Sequence, residues 1–240
     1  MKKAIIIGAT SGIGMETAKT LAANGYMVGM AGRREERLVE LQKTIQVKSY
    51  IMKIDVTDTG SAIQRFNELV REMGGVDVVV ICSGIVRPNY ELDWEKESET
   101  VNTNVLGFMA IANAAARLFL QQKHGHIVGI SSLSSLVYSD RTNAYCASKA
   151  FVSNYLRGLR ILMDRAEGTY CVTEVLAGWV LTEMTQNADM SKVFWQTTAS
   201  KAGNQIFDAI EGRKRKIYIS KRWRLIAWCI NILPERFRIK

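Results

Sequence analysis

The stretch KAIIIGATSGIG, residues 3 to 14, joins a short apolar run to a turn that is rich in glycine. The apolar run is typical of a buried strand, and a helix is predicted from about residue 12 to residue 24. Glycines at 8, 12 and 14 permit positive φ angles and let backbone approach a ligand closely. Bare N–H groups beside a helix N-terminus attract phosphate. The spacing Gly-x3-Gly-x-Gly differs from the commoner Gly-x-Gly-x2-Gly, but its position predicts a first strand–turn–helix unit that binds a nucleotide.

The same alternation of strand and helix continues along the chain. Further strands are predicted at 26–31, 48–54, 76–81, 126–131, 169–176 and 216–220, and helices at 35–44, 60–73, 96–122, 144–165 and 189–211. This order implies right-handed crossovers and a parallel sheet. We therefore expect an α/β protein with a Rossmann-type doubly wound sheet of seven parallel strands, helices on both faces, and one domain over 1–220. Residues 183–200 would form a substrate lid, and 221–240 a basic and apolar tail.

The composition fits one globular domain with reduced cysteines and without a metal site. A chain of 240 residues that is 48% hydrophobic can bury the core of one α/β domain. Cysteines outside Cys-x-x-Cys spacing are predicted to be reduced core residues of a cytosolic protein, and they are Cys82, Cys146, Cys171 and Cys229. The two histidines, His124 and His126, flank a glycine in a predicted turn, and no metal site is expected.

Candidate catalytic residues lie between 132 and 149. Tyr145 and Lys149 are four residues apart, so on a helix they share a face. An ammonium beside a phenol favours the phenolate, which would lower the pKa of Tyr145 and make it a general acid or base. Ser132 could hydrogen-bond a substrate oxygen. Taken alone, the pattern also fits an amphipathic helix with a buried tyrosine and a lysine that reaches the surface.

Arginines follow the second predicted strand, where an acid would accept the ribose hydroxyls of NAD. Arg33 occupies this position, and Arg34 could share or replace its role. A guanidinium can pair with a 2′-phosphate through charge-assisted hydrogen bonds, whereas a carboxylate would repel one. The sequence therefore favours NADP(H) over NAD(H), although a solvated arginine at a strand end gives the same pattern.

Taken together, the motifs resemble those of the short-chain dehydrogenase/reductase family in its form of about 250 residues. The resemblance covers 3 to about 185, and it is carried by Gly8-x3-Gly12-Ile13-Gly14, Asp55-Val56, Gly84, Asn102-x-Asn104-Val105, Ile130-Ser131-Ser132, Tyr145-x3-Lys149 and Gly178-Trp179-Val180-x-Thr182. It implies that Tyr145 exchanges the proton, Lys149 lowers its pKa and binds the nicotinamide ribose, Ser132 orients the substrate, and Asn104 holds a water. Ser131 and Ser134 are rivals for the serine role, but the thirteen-residue offset to Tyr145 selects Ser132.

The resemblance also implies cofactor contacts at Asp55 and Val56 for adenine, Gly84 near the ribose, and Val180 and Thr182 at the nicotinamide amide. With the glycine turn and the arginines, the predicted cofactor-binding set is Gly8, Thr10, Ser11, Gly12, Ile13, Gly14, Arg33, Arg34, Asp55, Val56, Gly84, Tyr145, Lys149, Gly178, Val180 and Thr182. Three positions depart from the family pattern. Ile7 replaces a threonine before the first glycine, Cys82 replaces an asparagine that bridges strands, and Ala177 replaces a proline.

The predicted lid is apolar. Its candidates for lining an adaptable pocket are Met184, Met190, Val193, Phe194 and Trp195. They favour a lipophilic ketone or secondary alcohol, such as a 3-oxoacyl chain, a steroid-like ring or a long-chain keto lipid. A helix packed on the sheet explains the aromatic pair equally well.

The C-terminal tail holds the excess positive charge. Residues 213–240 contain ten Lys/Arg and one acid, Glu235, whereas the whole chain has a net charge of +9. Bases and a tryptophan precede a short apolar run at 225–233, which is too short to span a bilayer. An interfacial anchor on anionic lipid, a helix docked on the body and an oligomer interface all remain open. Nucleic acid is not expected, because the bases alternate with apolar residues.

These observations predict a cytoplasmic NADP(H)-dependent oxidoreductase that interconverts a lipophilic ketone and its secondary alcohol. Its tail could also bring it to the inner face of a membrane. The resemblance implies a homo-oligomer, as a dimer or a tetramer. The alternative is a sensor or scaffold that binds NADP(H) without turnover. An epimerase or dehydratase ranks last, because the related extended family has a longer C-terminal substrate domain.

Overall fold

The structure is a computed structural model that describes residues 1–186 and 195–232, the last two by their backbone alone. Its strands are β1 Lys3–Ile7, β2 Met27–Gly32, β3 Ser49–Lys53, β4 Val78–Ile81, β5 His124–Ser132, β6 Thr169–Ala177, β7 Val180–Leu181, β8 Thr197–Thr198 and β9 Lys216–Ile219. Its α-helices are α1 Gly12–Ala23, α2 Glu35–Lys43, α3 Thr59–Met73, α4 Trp94–Val101, α5 Phe108–Gln122, α6 Asn143–Arg165, α7 Ala199–Glu211 and α8 Trp223–Ile232.

The main sheet has seven parallel strands in the order β3-β2-β1-β4-β5-β6-β9. The prediction of a doubly wound Rossmann-type fold is confirmed. Strand order reverses between β1 and β4, and ligands of such sheets bind in the crevice beyond the carboxyl ends of the strands at that point. The glycine turn after β1 and the loop after β4 both open into this crevice.

Helices cover both faces of the sheet and create two cores. On one face α3, α5 and α6 pack around Phe66, Phe108 and Phe119, which are fully buried. On the other face α1, α2 and α7 pack around Leu21 and Leu38. Because every central strand is covered on both sides, its sequence is a continuous apolar run, as in β4, Val78–Ile81.

One helical prediction needs correction, and a second is confirmed with a π-helical turn inside it. The chain from 195 to 198 is not helical, since β8 pairs with β7 there, and α7 begins at Ala199 rather than at 189. Thr198 ends the strand and caps α7, because its hydroxyl accepts a hydrogen bond from the Lys201 N–H at 3.2 Å. The predicted helix at 96–122 begins at Trp94 and contains a π-helical turn, Asn102–Gly107. Residues 187–194 lie outside the described part of the chain.

Two smaller expectations also fail. His124 and Gly125 belong to β5 rather than to a turn, since the strand begins two residues before its predicted start at His126. Cys229 is exposed on α8, whereas Cys146 and Cys171 are buried as expected and Cys82 is partly buried. The continuous helical segment Trp94–Gln122 is long and apolar enough to cross a membrane, with a mean hydropathy of 1.3. Half of its apolar 18-residue window is buried in the fold, which is typical of a core helix.

Candidate active site

The glycine turn is packed too tightly for side chains at two positions. A Cβ on Gly14 would lie 2.2 Å from the Gly8 carbonyl oxygen, and a Cβ on Gly8 would lie 2.7 Å from the Ser83 nitrogen. Gly8 also has a φ of +90°, which favours glycine. The Gly8 and Ala9 N–H groups both donate to the Ala31 carbonyl, at 2.8 and 2.9 Å. The turn therefore lies flat against β2 and the end of β4, and it leaves the backbone before α1 open to a phosphate.

Arg34 connects the end of β2 to this turn. Its guanidinium donates to Thr10 Oγ1 at 3.0 Å and to Ser11 Oγ at 2.9 Å. It also donates to Glu183 Oε2 at 2.9 Å, and Arg37 pairs with the other oxygen of the same carboxylate.

Arg33 has different surroundings. It is exposed, and its charge contributes to the lowered pKa of Glu99, although the main cause there is the hydrogen bond from Arg87. Of the two arginines that were predicted to contact the cofactor, Arg34 is thus the one tied to the turn. The sequence reasoning missed Arg37, which is three residues beyond Arg34 and hence on the same side of α2, and that spacing could have revealed it.

Tyr145 and Lys149 lie on one face of α6. Lys149 Nζ is 5.8 Å from the centroid of the Tyr145 ring, and the lysine is 6% exposed. Its ammonium donates to the Ile130 carbonyl at 3.0 Å. Burial lowers the pKa of Lys149 to about 8, and the nearby Cys82 has the opposite effect. The lysine thus retains its charge at neutral pH while standing close to the phenol.

The pKa of Tyr145 differs in direction from the expected one. Burial raises it, and interaction with the Ser132 side chain only partly offsets that rise. The residue keeps part of its surface exposed, but the loss of hydration still penalises the phenolate. The phenol is therefore protonated at neutral pH.

Three serines near the end of β5 have different surroundings. Ser131 and Ser132 are neighbours on a strand, so they face opposite sides of the sheet. Ser131 Oγ donates to the Lys149 carbonyl at 2.9 Å and lies 2.8 Å from Ser153 Oγ, which makes it a brace for α6. Ser132 Oγ accepts from the Ser134 N–H at 3.1 Å and donates to the Ala177 carbonyl at 3.3 Å. A hydrogen bond with the Ser132 side chain also acts to lower the pKa of Tyr145, against the larger effect of burial.

Asn104 stands in the π-helical turn between α4 and α5 and is 1% exposed. Its Oδ1 accepts from the Ile85 N–H at 2.8 Å, and its Nδ2 donates to the Ile85 carbonyl at 2.8 Å and to Ser148 Oγ at 3.1 Å. Ser148 Oγ in turn donates to the Tyr145 carbonyl at 2.7 Å. The side-chain amide therefore joins the loop after β4 to the helix that carries Tyr145.

Gly84 leaves a gap between two of these groups. A Cβ there would lie 3.3 Å from both Asn104 Oδ1 and Lys149 Nζ. The ribose of a dinucleotide needs such a gap to approach the lysine. The glycine turn at the other end of the crevice would bind the phosphates of the same dinucleotide. The residues present therefore fit a nicotinamide dinucleotide.

The other predicted cofactor contacts are distributed around the same crevice. Thr182 lies over the glycine turn, because a Cβ on Gly12 would be 3.0 Å from Thr182 Cγ2. Val180 is buried in β7, and Ile13 packs against the core beneath α1. Gly178 adjoins α8, since a Cβ there would lie 2.5 Å from Trp223 Nε1.

Asp55 and Val56 follow β3. The Asp55 carboxylate accepts hydrogen bonds from the Thr57 N–H at 3.0 Å and the Thr57 hydroxyl at 2.8 Å, so it shapes its own turn. Val56 is buried against Gly107, where a Cβ would come within 2.7 Å of it.

The departures from the family pattern leave the strands connected. The Cys82 N–H donates to the Ile7 carbonyl at 2.8 Å, so backbone joins β1 to the end of β4. Burial raises the pKa of the Cys82 thiol to about 12, although the charge of Lys149 lowers it, and the thiol is neutral at pH 7. The Ala177 carbonyl accepts the Ser132 hydroxyl.

A doubly wound sheet with a glycine turn at its switch point, and a tyrosine and lysine beside it, defines a dinucleotide-dependent oxidoreductase. Residues 2–192 match the family described as short chain dehydrogenase, and the chain belongs to that family. An uncharacterized oxidoreductase of Myxococcus xanthus is 33% identical over 202 residues, which cover 82% of this chain and 79% of the relative. The protein is therefore an oxidoreductase of this family, acting between C–OH and C=O with a nicotinamide cofactor.

Two solved structures share the fold. One is a short chain dehydrogenase/reductase from Burkholderia phymatum in complex with NAD, with a TM-score of 0.84 and 19% identity over 94% of this chain and 91% of that one. The other is ElxO with NADP bound, with a TM-score of 0.77 and 23% identity over 86% of this chain and 90% of that one. Proteins with this fold thus bind either nicotinamide dinucleotide.

Proposed function

We propose that the protein uses NADP(H) to interconvert a lipophilic ketone and its secondary alcohol, with Tyr145 as general acid and base. The observation that carries the proposal is the approach of Lys149 Nζ to within 5.8 Å of the Tyr145 ring, beside the gap at Gly84. Ser132 and Asn104 complete the group from β5 and from the π-helical turn.

A bound nicotinamide supplies or accepts the hydride, and the side chains of the chain handle the proton and the charge. In the reducing direction Tyr145 donates its phenolic proton to the carbonyl oxygen, which becomes a hydroxyl. The raised pKa keeps that proton in place at neutral pH. Ser132 donates a hydrogen bond to the same oxygen, and the Lys149 ammonium stabilises the phenolate that remains. Asn104 holds the loop after β4 against α6 and could position a water for proton return.

The preference for NADP(H) follows from positive charge at the end of β2. Arg34 is anchored at the glycine turn through Thr10 and Ser11, and Arg37 lies beside it. Arg33 adds a third exposed cation. A 2′-phosphate carries up to two negative charges and acceptor oxygens that match guanidinium groups. NAD(H) has no phosphate at this position and would leave Arg34 and Arg37 paired with Glu183 alone.

The preference for a lipophilic substrate rests on apolar side chains that stay exposed beside the site. Leu181 and Met184 flank Thr182, and Tyr138 lies on the loop between Ser132 and α6. Trp195, the first residue described after the gap at 187–194, packs edge-on against Trp223. Met190, Val193 and Phe194 of the predicted lid lie outside the described residues. We infer a 3-oxoacyl chain, a steroid-like ring or a long-chain keto lipid.

The test is NADPH oxidation with a panel of such ketones, for the wild type and for Tyr145→Phe. We expect turnover by the wild type and a loss of about two to four orders of magnitude in the variant, as for removal of a general acid. The competing function is a sensor or scaffold that binds NADP(H) without turnover. NADPH binding with no Tyr145-dependent reduction of any ketone would favour that function.

We also infer a peripheral contact with anionic lipid through α8. Trp223 docks this helix on the body against Gly178, and Ala227 on the same side is fully buried. The opposite side exposes Leu225 and Trp228, with 67% and 65% of their surfaces accessible. The cations Lys221, Arg222 and Arg224 are exposed next to them. Apolar residues among cations suit an anionic bilayer surface.

Sedimentation with liposomes tests this contact. Full-length protein should pellet with anionic vesicles and far less with neutral ones, and the variant with Leu225→Gln and Trp228→Gln should lose most of this binding. The control with Ile161→Gln and Leu162→Gln changes two exposed apolar residues of α6 and should pellet normally. If the α8 variant stays with the vesicles, or if only its oligomeric state changes, α8 is not a lipid anchor.

Oligomer formation and location complete the proposal. Trp94, Val101 and Leu106 are exposed on the helical segment before α5, and this face could join two copies of the chain. We infer a homo-oligomer, a cytoplasmic location with the tail at the inner face of the membrane, and a division into a catalytic domain, 1–220, and a tail, 221–240.

A further inference from the structure

Glu183 forms an ionic bridge across the mouth of the cofactor crevice. It stands on the short 3₁₀ turn, Glu183–Thr185, directly after Thr182, whereas the arginines that hold it stand at the start of α2. Arg34 Nη1 lies 2.9 Å from Glu183 Oε2, and Arg37 pairs with Oε1. One carboxylate therefore joins the segment that begins the lid to the cations at the end of β2.

This bridge is connected to the phosphate-binding turn. The same Arg34 guanidinium that holds Glu183 also donates to Thr10 and Ser11. Hydrogen bonds from Arg37, and to a smaller extent from Arg34, lower the pKa of the Glu183 carboxyl to about 2. The bridge is therefore fully charged at neutral pH. The three side chains remain 38% to 42% exposed, which leaves the bridge open to exchange with an anion from solution.

A 2′-phosphate resembles the Glu183 carboxylate in the features that the arginines recognise. Both present negatively charged oxygens that accept two or more N–H donors, and the phosphate carries the larger charge. If the proposed preference for NADP(H) holds, the guanidinium groups of Arg34 and Arg37 that would bind the phosphate are the ones that Glu183 occupies. Two anions cannot share them without repulsion.

We propose that Glu183 competes with the 2′-phosphate of the cofactor for Arg34 and Arg37, so that binding of the phosphorylated cofactor breaks the bridge between the Glu183–Thr185 turn and α2. The inference rests on the proposed NADP(H) preference and adds a residue that sets its strength. Because the coupling is reciprocal, whatever weakens the bridge strengthens phosphate binding. An adenosine ligand without the 2′-phosphate leaves the bridge intact.

The experiment compares adenosine 2′,5′-bisphosphate with AMP, which differ by the 2′-phosphate alone. Calorimetric titration at pH 7.5 would measure both ligands on the wild type, on Glu183→Gln and on Glu16→Gln. Glu16 is the matched control, because it lines the same crevice but pairs with Lys19 at 2.9 Å. Glu183→Gln should bind the bisphosphate about threefold to tenfold more tightly, as two exposed ion pairs of ordinary strength allow. Its affinity for AMP, and both affinities of Glu16→Gln, should stay at the wild-type values.

A double variant tests whether Glu183 acts through its contact with Arg37. When Arg37→Gln is already present, adding Glu183→Gln should produce a smaller gain, because one of the two competing contacts is gone. An unchanged bisphosphate affinity in Glu183→Gln overturns the inference, as does an equal gain for AMP. Steady-state kinetics with NADPH and NADH separate the two proposals. A wild type that prefers NADH refutes the cofactor preference itself, whereas preference for NADPH with no effect of Glu183→Gln refutes competition alone.

Discussion

Replacing Gly14 by alanine should distort the cofactor turn and destabilise the fold. The added Cβ would lie 2.2 Å from the Gly8 carbonyl oxygen and 2.9 Å from its carbon, and both are backbone atoms. Ordinary contacts to a Cβ are longer than about 3.4 Å, so the turn would have to move by about 1 Å. Overpacking of this kind costs about 1–3 kcal/mol. We expect the free energy of unfolding to fall by that amount.

The matched control is Gly158→Ala. Gly158 lies in the interior of α6, and its added Cβ would meet no atom within 4 Å. Alanine loses less conformational entropy in a helix than glycine, so this variant should be more stable than the wild type by about 0.5–1 kcal/mol. The same chemical change is thus expected to have opposite signs at the two positions.

Urea unfolding followed by circular dichroism measures the change in the free energy of unfolding for both variants. NADPH fluorescence measures cofactor binding at the turn. The affinity of Gly14→Ala for NADPH should fall by about tenfold or more, because strain of that size is comparable to 1.4 kcal/mol. Gly158→Ala should bind NADPH as the wild type does. A Gly14→Ala protein with wild-type midpoint and wild-type affinity would show that the turn does not pack against Gly8 as described.

Three further predictions concern the same site and α8. Asn104→Ala removes three hydrogen bonds and leaves the Ile85 amide groups unpaired, so it should lower the free energy of unfolding by about 2–4 kcal/mol in urea titration; a loss below about 1 kcal/mol would mean that water replaces the amide. The folded-state pKa of Lys149, about 8, lies below its ordinary value of 10.5. Between these pH values the folded protein binds fewer protons than the unfolded chain, so its stability rises with pH. Relative to Lys149→Met, the wild type should gain about 3 kcal/mol from pH 8 to 10.5, and parallel stability curves for the two proteins would contradict the buried charge. Cys229 is the exposed thiol among the four cysteines, so maleimide should modify it fastest in the native protein. Peptide mass spectrometry measures the labelling of each cysteine. Faster labelling of Cys146 or Cys171 would show that the fold opens at those positions.

Short-range patterns were sufficient for most of the fold. The apolar runs of β1 and β4 and the glycine turn between β1 and α1 identified the parallel sheet, because strands covered on both faces need continuous apolar sequence. The predicted helix at 189–211 was wrong at 195–198, because pairing of β8 with β7 and the cap at Thr198 are decided by the neighbouring segment.

The candidate site shows the same division. The four-residue spacing of Tyr145 and Lys149 predicted their common face, and the structure brings them together. The thirteen-residue offset to Tyr145 selected Ser132 over Ser131. The structure adds what each hydroxyl contacts, since that of Ser131 braces α6 and that of Ser132 acts on Tyr145. Glu183 went unnoticed as a site residue because its contacts are about 150 positions away in sequence.

The amino-acid sequence by itself determined the order of strands and helices, the phosphate-binding turn and the pairing of a phenol with an amine, since these depend on residue type and local spacing. Tertiary structure alone decided which arginine reaches the turn, which carboxylate it meets, and that burial raises rather than lowers the pKa of Tyr145. Those outcomes depend on which groups from distant segments share a small volume and how much water is left around them, and neither quantity is encoded in local spacing.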